Sequence, residues 1–119
     1  GMAMLAVDNK GYLYPCIRFS QFSLENKEPR IVGTVENGLN FNKLRPFMAI
    51  TRLSQSKSEC VKCDVASGCA WCTGANYDNA QTNTIYERAT YICKMHKARV
   101  RANNYYQSRI KEIGVATHA

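Results

Sequence analysis

The sequence predicts an α+β fold with a small N-terminal β-hairpin or short sheet, a cysteine-rich loop and two helices, the longer one C-terminal. Three observations support this prediction. Two β-rich runs flank a tight-turn sequence, four cysteines share a loop with Gly and Asp residues, and a long stretch near the C-terminus lacks Gly and Pro. At 119 residues the chain is expected to form a single domain, residues 1–119.

The hairpin is predicted for about residues 3–35. The runs AMLAV and YLYPCIRF are rich in strand-forming residues, and they flank DNKG, whose Asn and Gly suit a tight turn. By the two-residue period of a strand, Tyr12, Tyr14 and Cys16 share one face and Leu13 lies on the other. The run RIVGTV predicts a third short strand.

Two helices are predicted after the hairpin. The first, about 43–56, has Pro46 in its first turn, where a missing amide costs little, and apolar residues at three-residue steps. The second, about 84–112, follows from the capping box of Thr84 and Glu87 and from the absence of Gly and Pro within it. Its basic side chains are expected on the faces away from its apolar stripe, and they include Arg88, Lys94, Lys97, Arg99 and Arg101.

The charge and the apolar pattern restrict the partners. The formal net charge of +7 suits nucleic acid, an anionic membrane surface or an acidic peptide, and it also suits an ordinary solvated helix face. No apolar run approaches the roughly 18 residues of a membrane span, and no signal peptide opens the chain. We therefore expect no membrane partner and a cytoplasmic location. The opening Gly1-Met2 resembles the remnant of a cleaved tag, so a fragment of a longer protein is expected.

Four of the six cysteines form two CxxC pairs within the loop at 58–80. A CxxC pair on a tight turn can direct both thiolates at one metal, which predicts a metal-binding loop. A disulfide framework is disfavoured in a reducing compartment, and a thioredoxin-like site for CAWC would need a strand-to-helix junction. Spacing alone does not distinguish zinc from an iron–sulfur cluster. One compact zinc site would leave Cys16 and Cys93 without a role, since it would use only Cys60, Cys63, Cys69 and Cys72.

The cysteine pattern resembles that of the SPASM domain, the auxiliary-cluster domain of radical SAM peptide-modifying enzymes. The stretch GYLYPC, from Gly11 to Cys16, resembles the Gly-x4-Cys element of that family, and IVGTV resembles the short strand that follows it. The loop resembles the central Cys-x2-Cys-x5-Cys-x3-Cys motif, with x2 instead of x3 before Cys72, and Cys93 corresponds to the final cysteine. The resemblance covers about residues 5–107. The stretch ERATYICKMHKARVRANNYY further resembles maturases of ribosomal peptides with repeated Cys motifs.

The resemblance implies two 4Fe-4S clusters with interleaved ligands. The second auxiliary cluster would be held by Cys60, Cys63, Cys69 and Cys93. Cys16 and Cys72 would belong to the first site, which we expect to be incomplete because no cysteine precedes Cys16. In an isolated fragment Zn²⁺ is expected to substitute. Two further residues are expected around the ligands: Trp71 as a shield of the sulfurs, and His96 as a hydrogen-bond donor one helical turn from Cys93.

The resemblance also implies a function. The Cys-x3-Cys-x2-Cys signature of radical SAM enzymes is absent from these 119 residues, so we expect no S-adenosylmethionine cleavage and no catalytic residue in this fragment. The domain would relay electrons or bind the peptide substrate, with the radical SAM barrel of the same polypeptide and a ribosomally made peptide as partners. The alternative is a four-cysteine zinc-binding module that binds nucleic acid through a basic helix. It explains the charge but not the Gly11–Cys16 element or Cys93, and nucleic acid is otherwise not an expected partner.

Overall fold

The fold is α+β, as predicted, with a small sheet at the N-terminus and the longest helix at the C-terminus. The structure is a computed structural model that describes residues 4–114. Four antiparallel strands pair in the order β1-β2-β3-β4, and they span Ala6–Val7, Tyr12–Tyr14, Gly33–Thr34 and Gly38–Leu39. The five α-helices, α1 to α5, are Phe41–Ala49, Arg52–Gln55, Ser58–Val61, Thr73–Asp78 and Cys93–Glu112. Two 3-10 turns cover Ile17–Phe19 and Ala66–Gly68.

The predicted hairpin forms between β1 and β2, although its predicted start at residue 3 lies outside the described residues. The carboxylate of Asp8 closes the turn, since Oδ1 accepts from the amides of Lys10 at 2.9 Å and Tyr12 at 3.0 Å. Gly11 leaves the turn at φ 84°, a conformation that glycine adopts without a steric penalty. The third strand predicted from RIVGTV is confirmed as β3, which pairs with β2.

The expected alternation along β2 is only partly observed. Tyr12 is exposed as its position at the sheet surface requires, but Leu13 and Tyr14 are both buried and belong to the same core cluster. Tyr14 keeps its hydroxyl satisfied by donating to Asp8 Oδ2 at 2.7 Å. A three-residue strand is too short to separate a buried face from a solvent face by its period alone.

Aromatic residues from distant parts of the chain form the core. The ring of Phe19 packs edge-on against Phe47 of α1 at 4.9 Å between centroids, and it lies 5.7 Å from Tyr77 of α4. Arg30 also contacts the Tyr77 ring, with its guanidinium carbon 4.8 Å from the ring centroid. Burial of each large aromatic ring stabilises the fold by about 2–3 kcal/mol, so this cluster fixes the sheet, α1 and α4 relative to one another.

The first predicted helix is divided into two. The Asn40 side chain caps α1 by accepting from the Lys43 amide at 3.2 Å, and the helix ends at Ala49. Thr51 then begins α2 with its own capping box, in which Thr51 and Ser54 exchange side-chain-to-backbone hydrogen bonds. The competing cap explains why the helical stretch predicted at 43–56 does not continue unbroken.

The long helix begins at Cys93, not at Thr84. Thr84 Oγ1 accepts from the Tyr86 amide at 3.2 Å, and Glu87 Oε1 accepts from the Gln81 amide at 3.1 Å, so the predicted capping box does not form. The residues from 79 to 92 instead follow an irregular path that buries Ile85, Arg88 and Ala89. The loop at 58–80 also differs from the prediction, because it contains α3, a 3-10 turn and α4.

Helix α5 projects from the body of the molecule. None of its side chains is buried, and the longest dimension of the molecule is 61 Å against 31 and 24 Å for the other two. Within residues 4–114, no helix combines the length and the apolar character that crossing a bilayer requires.

Candidate metal centre

One open cavity of about 500 Å³ brings together four of the six cysteines. Its walls come from α2, α3, the loop that follows α3, the irregular segment before α5, and the first two turns of α5. The cysteines that line it are Cys60, Cys63, Cys69 and Cys93. These are the four that the family resemblance assigns to one site, although they come from positions up to 33 residues apart (93 − 60).

The thiols surround this cavity without converging on a point. All six cysteines are free, and none forms a disulfide. Within the described residues, no three side chains of His, Cys, Asp or Glu are placed so as to hold a metal ion. The structure therefore collects the four predicted ligands around one space, and their ligation of a metal stays a prediction.

Two side chains fix the backbone of the cysteine loop from opposite sides. Arg52 of α2 donates through Nη2 to the carbonyl oxygens of Ala66 and of Cys69, the latter at 2.9 Å. His96 of α5 places Nε2 3.0 Å from the carbonyl oxygen of Val65. Because a carbonyl oxygen only accepts, Nε2 carries the proton in this contact. The loop is thus tied to two helices by hydrogen bonds to three of its carbonyl groups.

His96 lies beside the cavity together with Cys93, as the one-turn spacing predicts. Its Nε2 is engaged with the loop backbone, so the hydrogen bond seen here positions the loop instead of reaching a sulfur. The predicted donation from His96 to a ligand sulfur stays a prediction.

Arg88 makes the most direct contact with a cysteine. Its Nη2 donates to Cys69 Sγ at 3.0 Å and to the Ala70 carbonyl oxygen at 2.9 Å. The residue is only 5% exposed, and its Nη1 is buried without a hydrogen-bond partner. The helical pattern in the sequence predicts this arginine on a polar helix face, and no local signal indicates that it is buried.

The charge around the cavity is positive. Five cationic side chains line it against two carboxylates, those of Glu59 and Asp64. The cations come from α2, the residue that follows α3, the irregular segment and α5, and they are Arg52, Lys62, Arg88, Lys94 and Lys97. A concave site lined mostly by one sign of charge concentrates ions of the opposite sign, so this cavity favours an anionic occupant.

Trp71 connects the second CxxC pair to the end of α2. Its indole Nε1 donates to Gln55 Oε1 at 2.8 Å, and Gln55 is buried at the end of α2. Gln55 Oε1 also accepts from Asn76 Nδ2 at 2.9 Å, while its Nε2 donates to the Ile85 carbonyl oxygen at 2.6 Å. Trp71 is not among the residues that line the cavity, so its predicted role as a shield of the sulfurs stays a prediction. No local signal in the sequence distinguishes Gln55.

The remaining two cysteines lie outside the walls of this cavity, on chain segments that pack together. Gly74 of α4 lies against Arg18, and these residues follow Cys72 and Cys16 by two positions each. Cys72 is exposed and Cys16 is half-buried against the core. Cys69 therefore lines the cavity and Cys72 does not, although only two residues stand between them in the sequence.

Fold and site together define a small α+β domain with a cysteine-lined, positively charged cavity. The chain matches no family model, no curated protein and no solved structure. Membership of the SPASM family therefore depends on the motif resemblance and is a proposal.

Proposed function

We propose that this chain is an auxiliary 4Fe-4S cluster-binding domain of a radical SAM enzyme that modifies a ribosomal peptide. One observation carries the proposal: Cys60, Cys63, Cys69 and Cys93, assigned to one cluster by the motif resemblance, line a single cavity, and Cys72 does not. A four-cysteine zinc site confined to the loop would instead favour a grouping of both CxxC pairs.

The volume of the cavity favours a cluster over a single ion. In a 4Fe-4S cluster each thiolate binds a different iron, so the thiolates stand farther apart than four thiolates around one tetrahedral zinc. The cavity of about 500 Å³ has room for ligands at this wider spacing.

The residues present suit such a group. Cys60, Cys63, Cys69 and Cys93 would hold it, and the surrounding cations would compensate its negative charge. When bound, the cluster supplies one-electron transfer at a potential set by hydrogen bonds and charge around its sulfurs. Arg52 and His96 hold the backbone that carries the ligands, so the loop is partly ordered before any metal arrives.

Anaerobic reconstitution with iron and sulfide tests the proposal. We expect a brown protein with about four irons per chain, and loss of the iron in Cys93→Ser. Cys72→Ser is the matched control, because it removes a thiol of the same loop that lies outside the cavity, and it should keep the iron. Tight zinc binding that iron does not displace, together with zinc loss in Cys72→Ser, would contradict the proposal.

The enzymatic context needs a second measurement. We propose that S-adenosylmethionine acts only in a radical SAM barrel of the same polypeptide, and that this domain relays electrons or contacts the peptide. The reconstituted chain should therefore accept one electron reversibly from a chemical reductant, followed by electron paramagnetic resonance. A cluster that is destroyed on reduction would exclude the relay role and leave peptide binding.

Helix α5 favours a second candidate, a zinc module that binds nucleic acid. It carries six cations against the single carboxylate of Glu112, and no side chain on it is buried. Its cations are Lys94, Lys97, Arg99, Arg101, Arg109 and Lys111. Phosphate contacts would produce binding to random DNA that weakens steeply between low and high salt. A titration that finds micromolar, salt-dependent binding supports this candidate, and no binding at low salt excludes it.

A further inference from the structure

Arg88 is a buried cation without a carboxylate partner. The only ion pair among the described residues is Arg109–Glu112 on the exposed part of α5, far along the chain from Arg88. Two carboxylates, Glu59 and Asp64, line the same cavity, but neither is paired with Arg88. Burying a charge without a compensating one is strongly unfavourable, so a guanidinium that is 5% exposed needs negative charge nearby.

The hydrogen bonds of Arg88 indicate where that charge belongs. Nη2 already donates to Cys69 Sγ and to the Ala70 carbonyl oxygen, which fixes the fork of the guanidinium beside the cavity. Nη1 shares that planar fork, is buried, and has no acceptor. An unsatisfied buried N–H group of a cation costs more than a neutral one, and a sulfur of an anionic centre in the cavity would satisfy it.

We infer that Arg88 is the buried counter-cation of the metal–thiolate centre, positioning Cys69 with Nη2 and keeping Nη1 for a sulfur of that centre. This inference depends on the proposed function, because it requires a metal or cluster held by the cavity cysteines. Four thiolates around a doubly charged metal or cluster core leave a net negative charge, which matches the unpaired guanidinium. The residue is therefore a positioning and charge-compensating group, and it takes no part in ligation.

A purely structural role predicts a different outcome. If Arg88 only held the loop through the Ala70 carbonyl, its loss would destabilise the chain equally with and without metal. A counter-cation instead stabilises the metal-loaded protein and destabilises the metal-free one, in which its buried charge has no partner. Replacement of a buried charge that lacks a partner by an apolar side chain of similar length removes the desolvation cost of that charge. Loss of the Arg88 charge should consequently lower the stability of the metal-loaded protein and leave that of the metal-free protein unchanged or higher.

The variants are Arg88→Met and, as the matched control, Arg101→Met. Arg101 is an exposed cation of α5 that does not line the cavity, so its replacement removes the same charge away from the thiols. Zn²⁺ alone is the probe, and its affinity for the full 119-residue chain is measured by competition with a chelator. We expect a loss of about 10- to 100-fold for Arg88→Met, as is typical of groups that support a metal ligand, and less than about threefold for Arg101→Met.

Denaturation with and without Zn²⁺ gives the readout that a structural role would not reproduce. Arg88→Met should lower the unfolding midpoint of the loaded chain and leave that of the metal-free chain unchanged or higher. For the reconstituted iron–sulfur protein, loss of the cation and its N–H donors should shift the midpoint potential to a more negative value. Equal affinity for Zn²⁺ in Arg88→Met and the unaltered chain would overturn the inference alone. Failure of the unaltered chain to bind either zinc or iron would overturn the proposed function.

Discussion

The indole of Trp71 donates a hydrogen bond to Oε1 of the buried Gln55 at 2.8 Å. Trp71 stands between Cys69 and Cys72, so this bond joins the second CxxC pair to the end of α2. Gln55 uses its remaining polar groups on Asn76 and on the Ile85 carbonyl. One amide side chain thereby connects α2, the cysteine loop, α4 and the irregular segment before α5.

Replacement of this amide should destabilise the chain without changing its surface. In Gln55→Leu, of similar size, the Trp71 indole, the Asn76 amide and the Ile85 carbonyl lose their buried partner. We expect a loss of about 2–4 kcal/mol in the free energy of unfolding, because buried polar groups left unpaired cost about 1–3 kcal/mol each and partly relax. Urea denaturation followed by Trp71 fluorescence measures it.

The control for this variant is Gln107→Leu on the exposed surface of α5. The free energy of unfolding of this control should stay within about 0.5 kcal/mol of that of the unaltered chain. If both variants unfolded at the same urea concentration, the Gln55 network would not contribute to stability.

Gly74 should not tolerate a side chain. A Cβ at this position would overlap the Cβ of Arg18 and lie 3.3 Å from its backbone carbonyl carbon and oxygen, so backbone must move to make room. We expect Gly74→Ala to cost about 1–3 kcal/mol of unfolding free energy, as overpacking does elsewhere. Since Cys16 and Cys72 lie two positions before these residues, the variant should also disturb the contact between their segments.

Gly68→Ala is the matched control for this effect. Its new Cβ would meet only the His96 Cε1 atom, at an ordinary 3.8 Å. Thermal unfolding should therefore place Gly68→Ala within a few degrees of the unaltered chain and Gly74→Ala below both. The reverse order would show that α4 and the Arg18 segment do not pack as described.

Alkaline pH should weaken the hairpin through Tyr14. Burial, and then the hydrogen bond to the Asp8 carboxylate, raise the pKa of Tyr14 to about 12 from its usual 10.0. The folded state thus holds the phenolic proton more tightly than the unfolded chain. This contribution to stability is fully present below pH 10 and is lost as the pH rises towards about 12.

The difference in unfolding free energy between the unaltered chain and Tyr14→Phe should accordingly be constant up to about pH 10 and shrink above it. In Asp8→Asn the carboxylate is absent, so the pKa of Tyr14 should fall towards 10.0 and the effect should begin at a lower pH. A difference that stays constant through pH 12 would show that the hydroxyl is not held as described. Phenolate absorbance of each variant provides an independent titration.

Local signals in the sequence predict the sheet and the existence of the long helix. The hairpin depends on the Asp8 and Gly11 turn, and its geometry is set within four residues. The start of the helix could not be predicted in the same way, because contacts with distant residues override the Thr84 and Glu87 cap. Asn76 Oδ1, for example, accepts from the Ala89 amide at 3.0 Å and holds it out of a helix.

In the candidate site, too, some features follow from sequence signals and others depend on contacts between distant residues. The resemblance to a family motif, and not the paired spacing alone, predicts that Cys93 lines the same cavity as three cysteines of the loop. The supporting groups do not follow from spacing. Arg52, Gln55 and Arg88 act on residues 14 to 30 positions away, and nothing in their immediate sequence distinguishes them from solvated side chains.

Cys69 and Cys72 offer the sharpest test of the site. Cys69 lines the cavity and accepts from Arg88, whereas Cys72 is exposed and lies outside the walls of the cavity. Bound zinc should therefore protect Cys69 from alkylation by iodoacetamide, since a ligated thiolate is withdrawn from reaction, and leave Cys72 reactive. Thiols that stay unmodified in the folded chain are labelled with an isotopically heavy reagent after unfolding. Peptide mass spectrometry, with and without Zn²⁺, then shows which of the two residues was protected.

The protection pattern decides between the two possible ligand sets. If the cavity binds the metal, Cys60, Cys63 and Cys93 should be protected together with Cys69, and Cys72 should react at the same rate with and without Zn²⁺. Protection of Cys72 with continued reactivity of Cys93 would instead indicate one zinc ion held by the two CxxC pairs. The proposed ligand set would then be wrong, because the exposed Cys72 would bind the metal in place of Cys93. The rate for Cys72 in the metal-free chain serves as the internal reference, since this cysteine is the exposed one of the six.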